Sequence, residues 1–331
     1  MGIEAGAPRL ASGEETVRGD PAGLPNNGPT PADTRRLLRV RWLIWSVLAL
    51  CYLVVYFHRV APGVVADRLM ADFSAGGAAV GMLTAIYFYV YAAMQIPSGV
   101  LADTLGARYS VAVAATLSGV GSILFGLAPT LEMAYLGRFL VGLGVSVVFV
   151  AAMKFQANWF SAAEFGTVSG LLLVVGNLGA VTATTPVALA AEAFGWRPAF
   201  LMIGSGGCLL AVAAWRWVRD RPAELGLPSP RYSHASAPGN VPAEEVIAKP
   251  LPFLVGAGIV WRNRQTWAGV LAHFSLLGAY MTFTGLWAVP YLMHVYGMDR
   301  PVASSYLLAT SLGLLVCAPL AGRVSDRLGR R

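Results

Sequence analysis

Charged side chains are scarce: only 12% of the 331 residues carry a charge, where a soluble domain carries about 25%. A water-facing surface cannot be built from that supply, so most of the outer surface must face something else. Cysteine is nearly missing too. Cys51, Cys208 and Cys317 each lie inside a long apolar stretch, with no metal spacing and no evident pairing, and read as small buried hydrophobes. The four histidines form no HExxH and no arguable Ser–His–Asp set, and no GxxxxGK[ST] phosphate loop occurs. Catalysis and direct ATP drive therefore have no sequence support, and neither an enzyme, a cofactor nor a metal site is expected.

What is abundant is apolar sequence: 56% of residues are hydrophobic and the mean hydropathy is +0.61. A membrane-spanning helix needs about 20 mostly apolar residues. Eight stretches qualify, at roughly 42–62, 78–98, 109–128, 133–155, 166–190, 198–217, 267–289 and 302–321. An all-α polytopic membrane protein follows. Small residues within the spans, such as Gly142 and Gly144 or Gly166 and Gly170, suit close helix approach better than ligand binding. Residues 1–40 lack the apolar core of a signal peptide and are expected to form a disordered tail. The stretch 218–265 reads as a flexible linker that separates six spans (41–217) from two (266–331).

The distribution of cations sets orientation. With the first span running outward, 19 of the 24 Lys and Arg residues fall on one face, against Arg68, Arg197 and Arg300 on the other. Both termini are then expected in the cytoplasm, in a bacterial inner membrane. The net charge of +7 becomes a topology signal, and no nucleic-acid partner is needed to explain it. No acid lies at mid-depth: Glu132 and Glu192 sit at outer ends and Asp103 in a loop. A carboxylate proton relay is correspondingly weak.

The connection after the second span reads GVLADTLGAR (99–108), and after the eighth span the chain reads GRVSDRLGRR (322–331). Gly, Asp, Gly and Arg recur at the same spacing, as in folds built from internal repeats. This pattern resembles the signature loop of the major facilitator superfamily, and Arg138, Gly142 and Gly144 fit that family's RxxxGxG motif. The resemblance covers roughly residues 35–331. It implies a major facilitator-like bundle of twelve helices, of which this chain carries the first six and then two more. It also implies gating loops formed by Gly99, Asp103, Gly106 and Arg108 and by Gly322, Asp326, Arg327, Gly329 and Arg330. Arg138 is grouped with these gating residues, and helix 11 would help to hold Asp103.

A charge inside a span is a functional candidate by default, because burying it costs at least about 2.5–3.5 kcal/mol. Arg59 lies 17 residues beyond Trp42, about 25 Å of helix. It serves function if the helix continues past Pro62 and Gly63, and snorkels outward if the helix stops at Val60. The stretch 41–59 is similar to the first helix of organophosphate and organic-anion branches of the superfamily, where an arginine at this position binds the substrate's anionic group. Segments 158–166 and 219–228 fit those branches as well. The seventh span lacks the second arginine of the organophosphate clamp, so an organic monoanion is favoured over a sugar phosphate. Further candidate wall residues are Tyr56, Tyr87, Tyr91, Gln95, Asn177 and Tyr280, with packing as the alternative for the aromatics. His58 is either a proton-coupling residue or a polar residue at the outer interface. The implied function is secondary transport of a small organic anion by alternating access, as a monomer in the lipid bilayer, with proton or sodium as coupling ion. The competing reading is a non-transporting sensor or remnant.

Overall fold

The computed structural model describes residues 31–227, 253–283 and 288–298, with isolated positions between 302 and 324. Most of the eighth expected span, the linker core 228–252 and the second signature loop (Gly322, Asp326, Arg327, Gly329, Arg330) lie outside the described residues. The helices are α1 (Pro31–Val64), α2 (Ala66–Asp72), α3 (Gly77–Ala93), α4 (Gln95–Leu127), α5 (Leu131–Trp159), α6 (Ala162–Thr182), α7 (Thr185–Phe194) and α8 (Arg197–Trp217). After a short 3-10 turn at Pro222–Leu225 come α9 (Phe253–Arg262), α10 (Arg264–Thr282) and α11 (Ala288–Tyr296). No strand occurs among the described residues.

Five runs are long and apolar enough to cross a membrane: α1, α4, α5, α6 with α7, and α8. The pair α2–α3, bent by 119°, passes as a sixth. Helix α4 is itself two helices joined at Gly106, whose φ of 77° and ψ of 173° are not helical. Residues 95–105 thus complete the second span and 107–127 form the third. The architecture is the all-α bundle expected, with six spans in the first half.

Two boundaries differ from expectation. Residues 31–40 were assigned to an unordered tail but are the first turns of α1. A proline and Asp33 in the first turn suit a helix N-terminus, and Leu37 and Arg41, one turn apart, are buried. The linker also contracts from both ends: Val218 and Leu227 are buried, and α9 occupies 253–262.

Helix α4 packs on α5 and α8, α3 on α5, and α1 on α6. These crossings are close because glycine leaves room at the contact. A Cβ on Gly144 would meet the Ala114 carbonyl oxygen and, at 2.6 Å, the Ser118 nitrogen. A Cβ on Gly179 would meet the Leu53 carbonyl oxygen. The packing role expected of Gly142 and Gly144 is what is found, since Gly142 lies against Tyr87 and Val90 of α3. At the outer end, Trp196 Nε1 donates to Asp72 Oδ2 at 2.8 Å and Arg197 Nη1 to the Ala128 carbonyl at 2.7 Å. Arg68 donates to the Ala191 carbonyl.

At the opposite end Arg41 ties α1 to α6. Its Nη1 and Nη2 donate to Glu164 Oε2 and Oε1 at 3.2 and 2.8 Å, and its Cζ lies 4.8 Å from the Phe160 ring. Glu164 is held by Ser161, whose backbone N and Oγ donate to Oε2. Because the Arg41 side chain is 10% exposed, an unpaired charge there is expensive. Glu164→Gln is expected to lower stability by about 2 kcal/mol. Combining it with Arg41→Met should recover part of that loss, read as melting midpoints in detergent; equal midpoints for all variants would show that the pair is idle.

Candidate functional site

Proline has no N–H, so Pro62 leaves the carbonyl four residues earlier without its helical donor. That carbonyl belongs to His58, and Arg138 Nη1 of α5 donates to it at 3.1 Å. Arg138 Nε donates to the Leu83 carbonyl of α3 at 3.1 Å, and its Cζ stands 4.8 Å from the Tyr87 ring. Arg138 is 1% exposed. It was grouped with the gating loops, but it sits inside α5 and joins three spans. The Pro62 gap explains how a cation is held at that depth.

Helix α1 continues to Val64, so Arg59 is not at a helix tip. Its guanidinium carbon lies 4.9 Å from the Tyr56 ring, 5.6 Å from Tyr91 and 6.0 Å from Phe88. The cage has ordered walls. Tyr91 stacks on Tyr87 at 6.2 Å, Tyr87 is fully buried, and its hydroxyl donates to the Val55 carbonyl. Tyr56 packs on Tyr52 and both lie against Gly176 of α6. Cation–π contacts of this kind contribute about 0.5–2 kcal/mol each, enough together to keep a charge in apolar surroundings. Among the described residues no carboxylate pairs with Arg59; the ion pairs are Arg41–Glu164, Lys154–Asp103 and Arg197–Asp72. The rings stabilise the cation without supplying the oxyanion that its N–H fork is shaped for.

Of the expected wall, Tyr56, Tyr87 and Tyr91 gather at Arg59, and Phe88 joins them although no sequence signal separated it from the other aromatics. Gln95 does not share their face. Helix α3 ends at Ala93, and Gln95 opens α4, exposed, with Nε2 donating to the Tyr91 carbonyl. Asn177 spends its amide on its own helix, at the Leu173 carbonyl. Tyr280 is half-buried on α10, away from the α1 and α3 side chains that surround Arg59. His58 is fully buried against Phe57 and Phe200, so the outer-interface alternative does not describe it.

The first signature loop is built on the Gly106 break. Gly106 occupies a region of backbone space that is nearly glycine-only, and its missing Cβ makes room for the Asp220 carboxylate. Asp220 Oδ1 in turn accepts from Arg108 N at 2.9 Å and so caps the third span. On the other side of the break, Ser110 Oγ donates to the Leu101 carbonyl and Lys154 Nζ to the Ala102 carbonyl at 2.7 Å. Lys154 also pairs with Asp103 at 3.0 Å. Within this half, then, Asp103 is held by α5. Gly99 faces open space, so nothing described requires glycine there.

Comparison with known proteins places this geometry. The family model "Major Facilitator Superfamily" matches residues 48–331. The chain is 28% identical over 281 residues to the uncharacterized transporter YybO of Bacillus subtilis (strain 168), covering 83% of this chain and 64% of that protein. It is 26% identical over 308 residues to the "Probable sulfoacetate transporter SauU" of Cupriavidus necator, covering 90% of this chain and 67% of that one. It thus spans about two thirds of the length of these curated relatives. The structure of the proton:xylose symporter XylE bound to 6-bromo-6-deoxy-D-glucose superposes with a TM-score of 0.55 at 16% identity, over 87% of this chain and 70% of that one. At that identity the likeness concerns the fold alone. With the family model matching nearly the whole described chain, the protein belongs to the Major Facilitator Superfamily.

Proposed function

We propose that the protein is part or all of a secondary transporter that moves a small organic anion by alternating access, with Arg59 holding the anionic group. One observation carries this reading. Arg59 is a cation inside a spanning helix, walled by Tyr56, Phe88 and Tyr91, with no carboxylate paired to it among the described residues. A single guanidinium fork suits one carboxylate or sulfonate. The relative named for sulfoacetate transport supports an anionic cargo. Tyr87 keeps the cage in place from beneath, and the loop 99–108, pinned by Asp220 and Lys154, closes and opens the cytoplasmic side.

The test is equilibrium binding to the purified 331-residue chain, read as a saturable rise in melting midpoint. Sulfoacetate, glucuronate and glucose 6-phosphate are the anionic probes and xylose is the neutral one. At least one anion should stabilise the chain while xylose does not. Equal stabilisation by xylose, or no response to any of the three anions, would end the proposal.

A further inference from the structure

Away from Arg59, α4 and α8 cross closely and then part toward the end that carries Arg108. The opening is a groove of about 500 Å³. Tyr109, Val113 and Leu117 of α4 line one wall, and Cys208, Val212 and Trp215 of α8 line the other. The helices run antiparallel here, and the eight residues from Tyr109 to Leu117 give the groove a length of about 12 Å. Its wall is apolar and open to the surroundings: Val113 is 55% and Val212 64% exposed.

The mouth of the groove is different. The Arg108 guanidinium carbon lies 5.4 Å from the Tyr109 ring and 5.9 Å from the Trp215 ring. Arg108 Nε donates to the Trp215 carbonyl at 2.8 Å, which fixes the side chain over the opening. Arg216, exposed, follows Trp215 directly, and Trp217 is 49% exposed. The two nearby acids are already engaged by backbone. Asp220 accepts from Arg108 N, and Glu224 Oε1 accepts from the backbone N of Asp220 and Arg221. What remains is positive and aromatic at the mouth, apolar below.

The geometry points to a binding groove for one anionic phospholipid, its acyl chain along α4 and α8 and its phosphate at Arg108. Amphipathic aromatics at a membrane–water boundary with an adjacent arginine are the arrangement that such a molecule matches along its length. A neutral occupant would leave the arginines unanswered, and a free anion would leave the apolar wall bare. The site is independent of Arg59, so its fate does not follow that of the transport reading.

Native mass spectrometry of the purified chain tests this, with phosphatidylglycerol and phosphatidylcholine of identical chains as probes. Phosphatidylglycerol should be retained about fivefold more tightly, the preference expected from one cation near a headgroup. Arg108→Gln should reduce that preference to near unity, and Arg108→Lys should keep most of it. Should Arg108→Gln fail to fold, Arg216→Gln is expected to weaken the same preference. Val212→Trp, which fills the groove, should lower retention of both lipids. Equal retention of the two lipids by the unaltered chain would overturn the proposal. So would a preference untouched by Val212→Trp and the arginine variants alike, or a second copy of the chain bound in the lipid's place.

Discussion

Arg59→Ala is expected to weaken binding of the stabilising anion by roughly a hundredfold, about 3 kcal/mol. The size follows from what is removed: the fork that would answer a desolvated oxyanion, in a cage with no second cation within reach of the same rings except Arg138. Arg138 cannot stand in, because it is buried and already committed to the Leu83 and His58 carbonyls. Arg59→Lys keeps the charge but not the fork, and should cost about tenfold. Neither change should lower the melting midpoint of the ligand-free chain by much, since Arg59 bridges no two helices through an ion pair among the described residues. Titration of each variant with the anion checks the order alanine, lysine, arginine. Unchanged affinity in the alanine variant would remove Arg59 from the site.

Gly106→Ala is the second large effect, and it concerns stability. The substitution forces a side chain into glycine-only backbone space, at about 1–3 kcal/mol, and drives its Cβ into the Asp220 carboxylate. A loss of roughly 3 kcal/mol or more is expected. Asp220→Gly by itself removes the cap on Arg108 N and should cost about 1 kcal/mol. Together the two changes should cost less than their sum, because the second clears the space that the first needs. A double-mutant cycle on melting midpoints reads the difference. Strict additivity would mean that Asp220 and Gly106 do not meet.

The spans were legible because their signal is energetic and local: twenty apolar residues cannot rest in water, whatever their partners. Arg59 was legible for the same reason, as a charge where charge is costly. The contacts around these features were not. Asp220 is 112 positions from Arg108, and nothing in RDRPAELG announces which helix end its carboxylate will cap. Lys154 looked like a snorkelling side chain, and its pairing with Asp103 needed the loop to fold back over α5. Gln95 was placed on the tyrosine face by a four-residue period, which holds only within one unbroken helix; the break at Met94 rotated it away. Asn177 looked like a polar wall residue, but an amide in a helix can donate to the carbonyl one turn back, and that local option won. Residues 31–40 were misread because their composition is loop-like, whereas buried Leu37 and Arg41 draw them into the helix.

The bond between Arg138 and the His58 carbonyl exists because a proline four residues later withholds its own donor. The outer end of α1 is therefore welded to α5 just where a hinge would otherwise form, and Arg59 sits on the welded part. When the transporter changes the side to which it opens, Arg59 must travel with α5 and α3 as one piece. Access to it has to be changed by what moves around that piece.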